Sequence, residues 1–156
     1  MLYARDSGLG WFENRDGKGS FRSSPQQLFR GSAAGYPAFC DVNGDGRDDI
    51  VVTVGRKLSW IRNDGSGSYA STVDILTGLE SVSEPKWLAC GRIDADTHVD
   101  IVYHDRAKLW WLAGSANSTF SAPKLLAEVY DRISALQLVD LDLSVSTKER
   151  PNQPSK

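Results

Sequence analysis

Oxygen-bearing side chains recur at near-alternate positions in the run DVNGDGRDD, Asp41 to Asp49. Asp41, Asn43, Asp45 and Asp49 stand at positions 1, 3, 5 and 9 of a short loop, and Arg47 at position 7 offers its main-chain carbonyl. Hard oxygen donors at this spacing converge on a calcium ion. Gly46, at position 6, permits the sharp turn that folds the donors back on one another, because glycine enters left-handed backbone conformations without a Cβ clash. An EF-hand would close with a bidentate glutamate at position 12 between two helices, but that position is Val52. The run that follows, DIVVTVG, is β-branched and bounded by glycine, so it reads as a buried strand. The expected chemistry is therefore Ca2+ coordination in a strand-loop-strand setting. Asp, Asn and Gly are also ordinary turn formers, yet carboxylates this dense repel one another unless a cation neutralises them.

A second loop keeps Asp94, Asp96 and Asp100 but has Arg92 at position 1. These three are weaker metal candidates, since an arginine there could pair with the carboxylates in place of the ion. His98 takes the carbonyl-donor position, and its ring is expected to face solvent. Nothing in the chain assembles a nucleophile and base: His98 and His104 are the only histidines, and no GxSxG elbow or phosphate-cradling glycine loop is present. No catalytic residue is assigned, and the chain is read as a non-enzyme.

The elements that must hold these loops emerge from an internal repeat. DIVVTVGRKLSWIRNDGSGSY, from Asp49, matches DIVYHDRAKLWWLAGSANSTF, from Asp100, without a gap. Part of the unit recurs in LGWFENRDGKGSF near the start, and another copy begins in LVDLDLSVS near the end. The period of about 50 residues is close to that of propeller blades. Each unit reads as four short strands, the last two joined by a glycine-rich hairpin turn. Trp11, Trp60 and Trp111 recur in phase, which predicts packing between blades rather than ligand contact. Trp110 alternates with Trp111 and must face the other side of its strand, so it is the possible ligand contact.

The acidic loop before DIVV, followed by LSWIRNDGSGSY, resembles the FG-GAP or VCBS repeat, the blade unit of integrin alpha-subunit β-propellers. That resemblance implies an all-β fold of four-stranded antiparallel blades, about three per chain. The expected division is a partial blade over 1–32, full blades over 33–82 and 83–131, a partial blade over 132–145, and a disordered polar tail over 146–156. It further implies a calcium-stabilised binding or adhesion module whose ligand is a carbohydrate or a protein, and a secreted setting. Alternatives are a propeller enzyme or accessory module of a secreted hydrolase or lyase, and a truncated or engineered fragment.

Three blades fall short of the 4 to 8 that close a ring. A homo-oligomer, or the remainder of a longer propeller, is therefore expected, with the opening strand at one end pairing with the later strands at another copy's start. The net charge of −2 over 156 residues gives no reason to expect nucleic acid. No apolar run is long enough to span a bilayer, and the start lacks the features of a signal peptide. Cys40 and Cys90 read as small buried apolar residues, with a disulfide between neighbouring units as the alternative.

Overall fold

The computed structural model describes residues 2–5, 8–30, 36–66, 69–79, 87–129 and 136–138. Within them the chain is all-β, built of antiparallel sheets with a single short 3-10 turn at Ala116–Ser118. The tail over 146–156 and most of the partial blade expected over 132–145 lie outside the described residues.

The first full sheet runs in chain order: β4 (Ala38–Cys40), β5 (Asp49–Val54), β6 (Lys57–Asn63) and β7 (Tyr69–Thr77). The second repeats it as β8 (Leu88–Gly91), β9 (Asp100–Asp105), β10 (Lys108–Leu112) and β13 (Lys124–Glu128). Between β10 and β13 lies a small hairpin of β11 (Gly114–Ser115) and β12 (Thr119–Phe120). The fourth strand of this sheet is thus shorter than β7 and begins later. Pro123 lacks the N–H that a ladder needs, and it sits immediately before β13.

Before these sheets come three strands: β1 (Leu2–Arg5), β2 (Gly8–Trp11) and β3 (Gln26–Arg30), paired in that order. The sequence had suggested only later strands around Trp11 and Phe21. Instead β1 pairs with β2, β3 forms the far edge, and Phe21 makes only an isolated bridge to Asn14.

Alternation along β5 divides the core in two. Counting sheets in chain order, with β1–β3 the first, β4–β7 the second and β8–β13 the third, Ile50 and Val52 join Ile61 and Leu9 between the first and second. Val51, Leu58 and Trp60 join Leu88, Ile101, Tyr103 and Leu112, between the second and third. Both faces of β5 are covered, so its residues are apolar without a polar alternation. Trp60 fills the second core as its phase predicted, and Trp11 and Trp111 are half-buried.

One preferred reading is corrected. Cys40 and Cys90 are not free apolar residues but form a disulfide, with Cα atoms 6.2 Å apart. They lie on β4 and β8, the first strands of consecutive sheets, whose close approach brings the two thiols within bonding range.

Candidate functional site

The base of each acidic loop is held by one buried carboxylate. Asp49 is wholly buried at the start of β5, where its Oδ2 accepts the Val42 N–H at 3.2 Å and its Oδ1 the Asn63 N–H at 2.7 Å. Asp100 does the same at the start of β9, accepting from Ile93 at 2.8 Å, Asp94 at 3.2 Å and Gly114 at 2.8 Å. In both sheets the carboxylate therefore ties the loop before the second strand to the chain leaving the third. Gly114 is required for this approach, since a Cβ there would run into the Val99 carbonyl. Burial pushes the Asp49 carboxyl above its ordinary range, against the lowering effect of the amide hydrogen bonds from Asn63 and Val42.

The tips of the loops differ. In the first, Asp41 Oδ1 and Asn43 Oδ1 accept the same Asp45 amide at 2.9 and 3.0 Å, and Asp41 Oδ2 accepts the Gly46 N–H at 2.7 Å. Asn43 Nδ2 donates to Asp45 Oδ2 at 2.9 Å. These three side chains share neighbours, so the tip gathers oxygen donors. Arg47 contributes more than a carbonyl: its Nη2 lies 2.7 Å from Asp45 Oδ2, its Nε donates to the Asn63 carbonyl at 3.4 Å, and Gly65 packs against its side chain. Arg62 stands 3.7 Å from the same Asp45 oxygen. Desolvation raises the Asp45 pKa, but Asn43, the Arg47 amide and the two guanidinium groups outweigh it and leave the carboxyl below its ordinary value.

In the second loop the Asp96 amide donates to Asp94 Oδ1 at 3.0 Å, and Asp96 takes the His98 N–H at 2.7 Å and lies 3.3 Å from its ring. Arg92 is exposed and makes no ion pair among the described residues, so it does not replace a cation as its position had suggested. Among the described residues no three Asp, Glu, His or Cys side chains gather closely enough to cage a metal by themselves. The first tip nevertheless has the right donor chemistry for a hard ion, because Asn43 and main-chain carbonyls supplement Asp41 and Asp45. Asp49, the fourth expected ligand, uses both oxygens to hold amides.

A different surface opens between the second and third sheets. Leu76, Thr77, Gly78 and Leu79 form one wall, and Tyr103, Asp105, Trp110 and Pro123 the other, around a volume of about 300 Å³. Trp110 faces Tyr103 across the β9–β10 ladder, on the opposite side from Trp111, which faces Val102. It is half-buried against the core, so the expected ligand contact is a groove wall rather than an outer surface. Asp105, only 5% exposed, was not singled out in the sequence. Its signal was available: the matching position in the first full unit is Val54, so the carboxylate at 105 departs from the repeat.

A search of solved structures finds a likeness to a lectin of Agrocybe aegerita described as specifically recognising non-reducing terminal N-acetylglucosamine, at 13% identity and a TM-score of 0.37. The alignment covers 77% of this chain and 47% of that one, so the chain spans about half its length. Comparison with curated proteins finds no match. The profile of the FG-GAP-like repeat matches residues 1–52 and again residues 41–103. Those two matches take in more than half of the chain, including the strand starts at Asp49 and Asp100, and the protein belongs to the FG-GAP-like repeat family.

Proposed function

We propose that this chain is a non-enzymatic propeller-type module that binds a carbohydrate or a protein and is stabilised by calcium. The observation that carries the binding reading is the groove between consecutive sheets, concave and lined by Trp110, Tyr103 and Asp105. Small-molecule sites are generally such clefts, mostly apolar with a few placed polar groups. A glycan array and a capture screen with extracellular proteins, run beside an activity screen on polysaccharides, test it. Binding without turnover supports the reading, and turnover of any polysaccharide would overturn it.

Calcium would be held by Asp41, Asn43, Asp45 and the Arg47 carbonyl, with Asp49 setting the base of the loop. Its chemistry there is charge neutralisation, tying the connection between β4 and β5. The ion competes with Arg47 and Arg62 for Asp45, so its affinity reflects that exchange. The second loop lacks an oxygen donor at Arg92, and Asp94, Asp96 and Asp100 take no ion in this reading.

Two further features fit a module working outside the cell in an assembly. A disulfide persists in oxidising compartments. The outer edge of β1 has no strand partner among the described residues, and an edge of this kind accepts a strand from another copy or from more of a propeller. No described helix is long and apolar enough to cross a membrane. Light scattering at micromolar concentration tests the assembly: an oligomer supports it, and a folded monomer with cooperative melting contradicts it.

A further inference from the structure

The tip of the first acidic loop joins an asparagine directly to a glycine, and that junction has chemistry of its own. We propose that Asn43–Gly44 is a self-modification site, where the Gly44 main-chain nitrogen closes on the Asn43 side chain and water then leaves a carboxylate at position 43. Asn43 Oδ1 reaches past Gly44 to accept the Asp45 N–H at 3.0 Å, and its Nδ2 donates to Asp45 Oδ2 at 2.9 Å. The side-chain amide is thus folded across the Gly44 peptide. The Asp45 N–H on Oδ1 also draws electron density from the carbonyl carbon, and it steadies that oxygen as a nucleophile adds. Gly44 is exposed, with a φ of +74°, and a Cβ built on it would meet nothing within 4 Å. Its nitrogen is therefore flanked by no side chain and open to the hydroxide that must remove its proton.

The step balances without a redox partner. The Gly44 N–H gives its proton to hydroxide, the nitrogen bonds to Asn43 Cγ, and the Cγ–Nδ2 bond breaks, ammonia leaving with a proton from water. Water then opens the cyclic imide at either carbonyl. Attack at Cγ restores the main chain with an aspartate. Attack at the main-chain carbonyl leaves an isoaspartate, with the chain running through the former side chain. The net change is one NH exchanged for one O.

Asn63 supplies an internal contrast. It makes the same turn, its Oδ1 accepting the Gly65 N–H at 3.0 Å while its Nδ2 donates to the Asp48 carbonyl at 3.1 Å. Asp64 follows it, however, so a side chain flanks the attacking nitrogen, and a carboxylate ionised at neutral pH repels hydroxide. Asp16, Asp45 and Asp64 also precede glycines, but an ionised carboxylate is a poor electrophile. Of these junctions only Asn43–Gly44 pairs a neutral side-chain amide with an unshielded nitrogen.

A carboxylate at position 43 changes the tip. The Nδ2–H that bridged to Asp45 gives way to an oxygen facing an oxygen, so the side chains at 41, 43 and 45 repel one another until a cation sits among them. Ligand charge tunes calcium affinity in such loops, so the aspartate product binds the ion more tightly and depends on it more. That consequence rests on the calcium reading above, whereas the modification itself does not.

The test incubates the full chain in mildly alkaline buffer with chelator, followed by peptide mass mapping and by enzymatic methylation specific for isoaspartate. Asn43 should convert about tenfold faster than Asn63, because only its neighbour leaves the attacking nitrogen unshielded. Asp64→Gly should bring Asn63 up to the Asn43 rate. Asn43→Gln should abolish conversion at 43, since glutamine must close a larger ring. An Asn43 that stays intact, or converts no faster than Asn63, overturns the inference and leaves the calcium reading untouched. Asn43→Asp makes the normal-chain product directly and reports the consequence. It should bind calcium about tenfold more tightly by calorimetry and melt at a lower temperature in chelator. Conversion at Asn43 with calcium bound by neither form overturns the calcium reading and leaves the modification site standing. Equal calcium affinity in Asn43→Asp and the natural chain overturns the tightening alone.

Discussion

The second and third sheets carry the same loop on the same base and end it differently. Asp49 and Asp100 each reach seven residues back and fourteen forward to seize main-chain amides. The tips then diverge: oxygen donors crossed by two arginines in one, and an exposed Arg92 beside an Asp96–His98 pair in the other. The base belongs to the fold, and the proposed calcium site lies at the tip. A repeat that keeps position 9 while changing position 1 is separating those roles. The same separation holds in the grooves, where buried β9 and β5 run alike but Asp105 and Trp110 replace Val54 and Ser59.

The comparison is most exposed to failure at the base. Asp100→Ala strands three amides and Asp49→Ala two. A buried polar group left without a partner costs about 1–3 kcal/mol, so Asp100→Ala should lose about 4 kcal/mol in urea unfolding and Asp49→Ala somewhat less. Equal effects of under 1 kcal/mol would mean that the bases are not structural. Next comes the disulfide, which closes a 50-residue separation between the two sheets. Replacing Cys40 and Cys90 by alanine should cost about 2–4 kcal/mol. Hydrogen exchange should quicken in β4 and β8 together, and loss confined to one sheet would show that the bridge does not couple them.

The tips give smaller effects. Calcium should raise the melting temperature of the natural chain, and chelator should reverse the rise. Asp45→Ala should abolish most of the gain, while Arg47→Ala should tighten binding by freeing Asp45 from its guanidinium partner. An Arg47→Ala chain that binds no better would remove the competition from the account.

Smallest is the pH response. Asp16, Asp45, Asp64, Asp74 and Asp96 all lie below their ordinary values, Asp16 at about 2, with a Ser20 hydrogen bond the largest cause there. A depressed carboxyl stabilises the fold above its unfolded pKa, and that contribution is lost as pH falls through its folded value. Stability should therefore decline as pH drops from about 4 toward 2. Asp49 acts in the opposite sense. Its raised folded pKa means that stability falls as pH rises through the window above 3.8. Asp49→Asn should flatten that part of the curve, and an unchanged slope in urea melts across it would contradict the burial assignment.

The repeat was legible because β5 and β9 are buried on both faces, and buried strands repeat the same residue types at the same spacing. The blade order, the interior place of Trp60 and the opposed faces of Trp110 and Trp111 all followed from period and alternation. The disulfide did not, because the two cysteines break phase: Cys40 lies opposite Asp49, but Cys90 lies opposite Ile101. Strand β1 was missed because LYAR is short and its partner β2 holds two glycines, which weaken a strand signal. The staple role of Asp49 was hidden by its ligand spacing. A carboxylate that caps amides and one that meets an ion look alike in one dimension. The retention of Asp100 beside Arg92 was the available clue.

Calorimetric titration of the full chain with calcium tests the division between base and tip most directly. The account predicts one site per chain, abolished by Asp45→Ala and untouched by Asp96→Ala. Two sites of similar affinity, or a single site lost with Asp96 rather than Asp45, would contradict it.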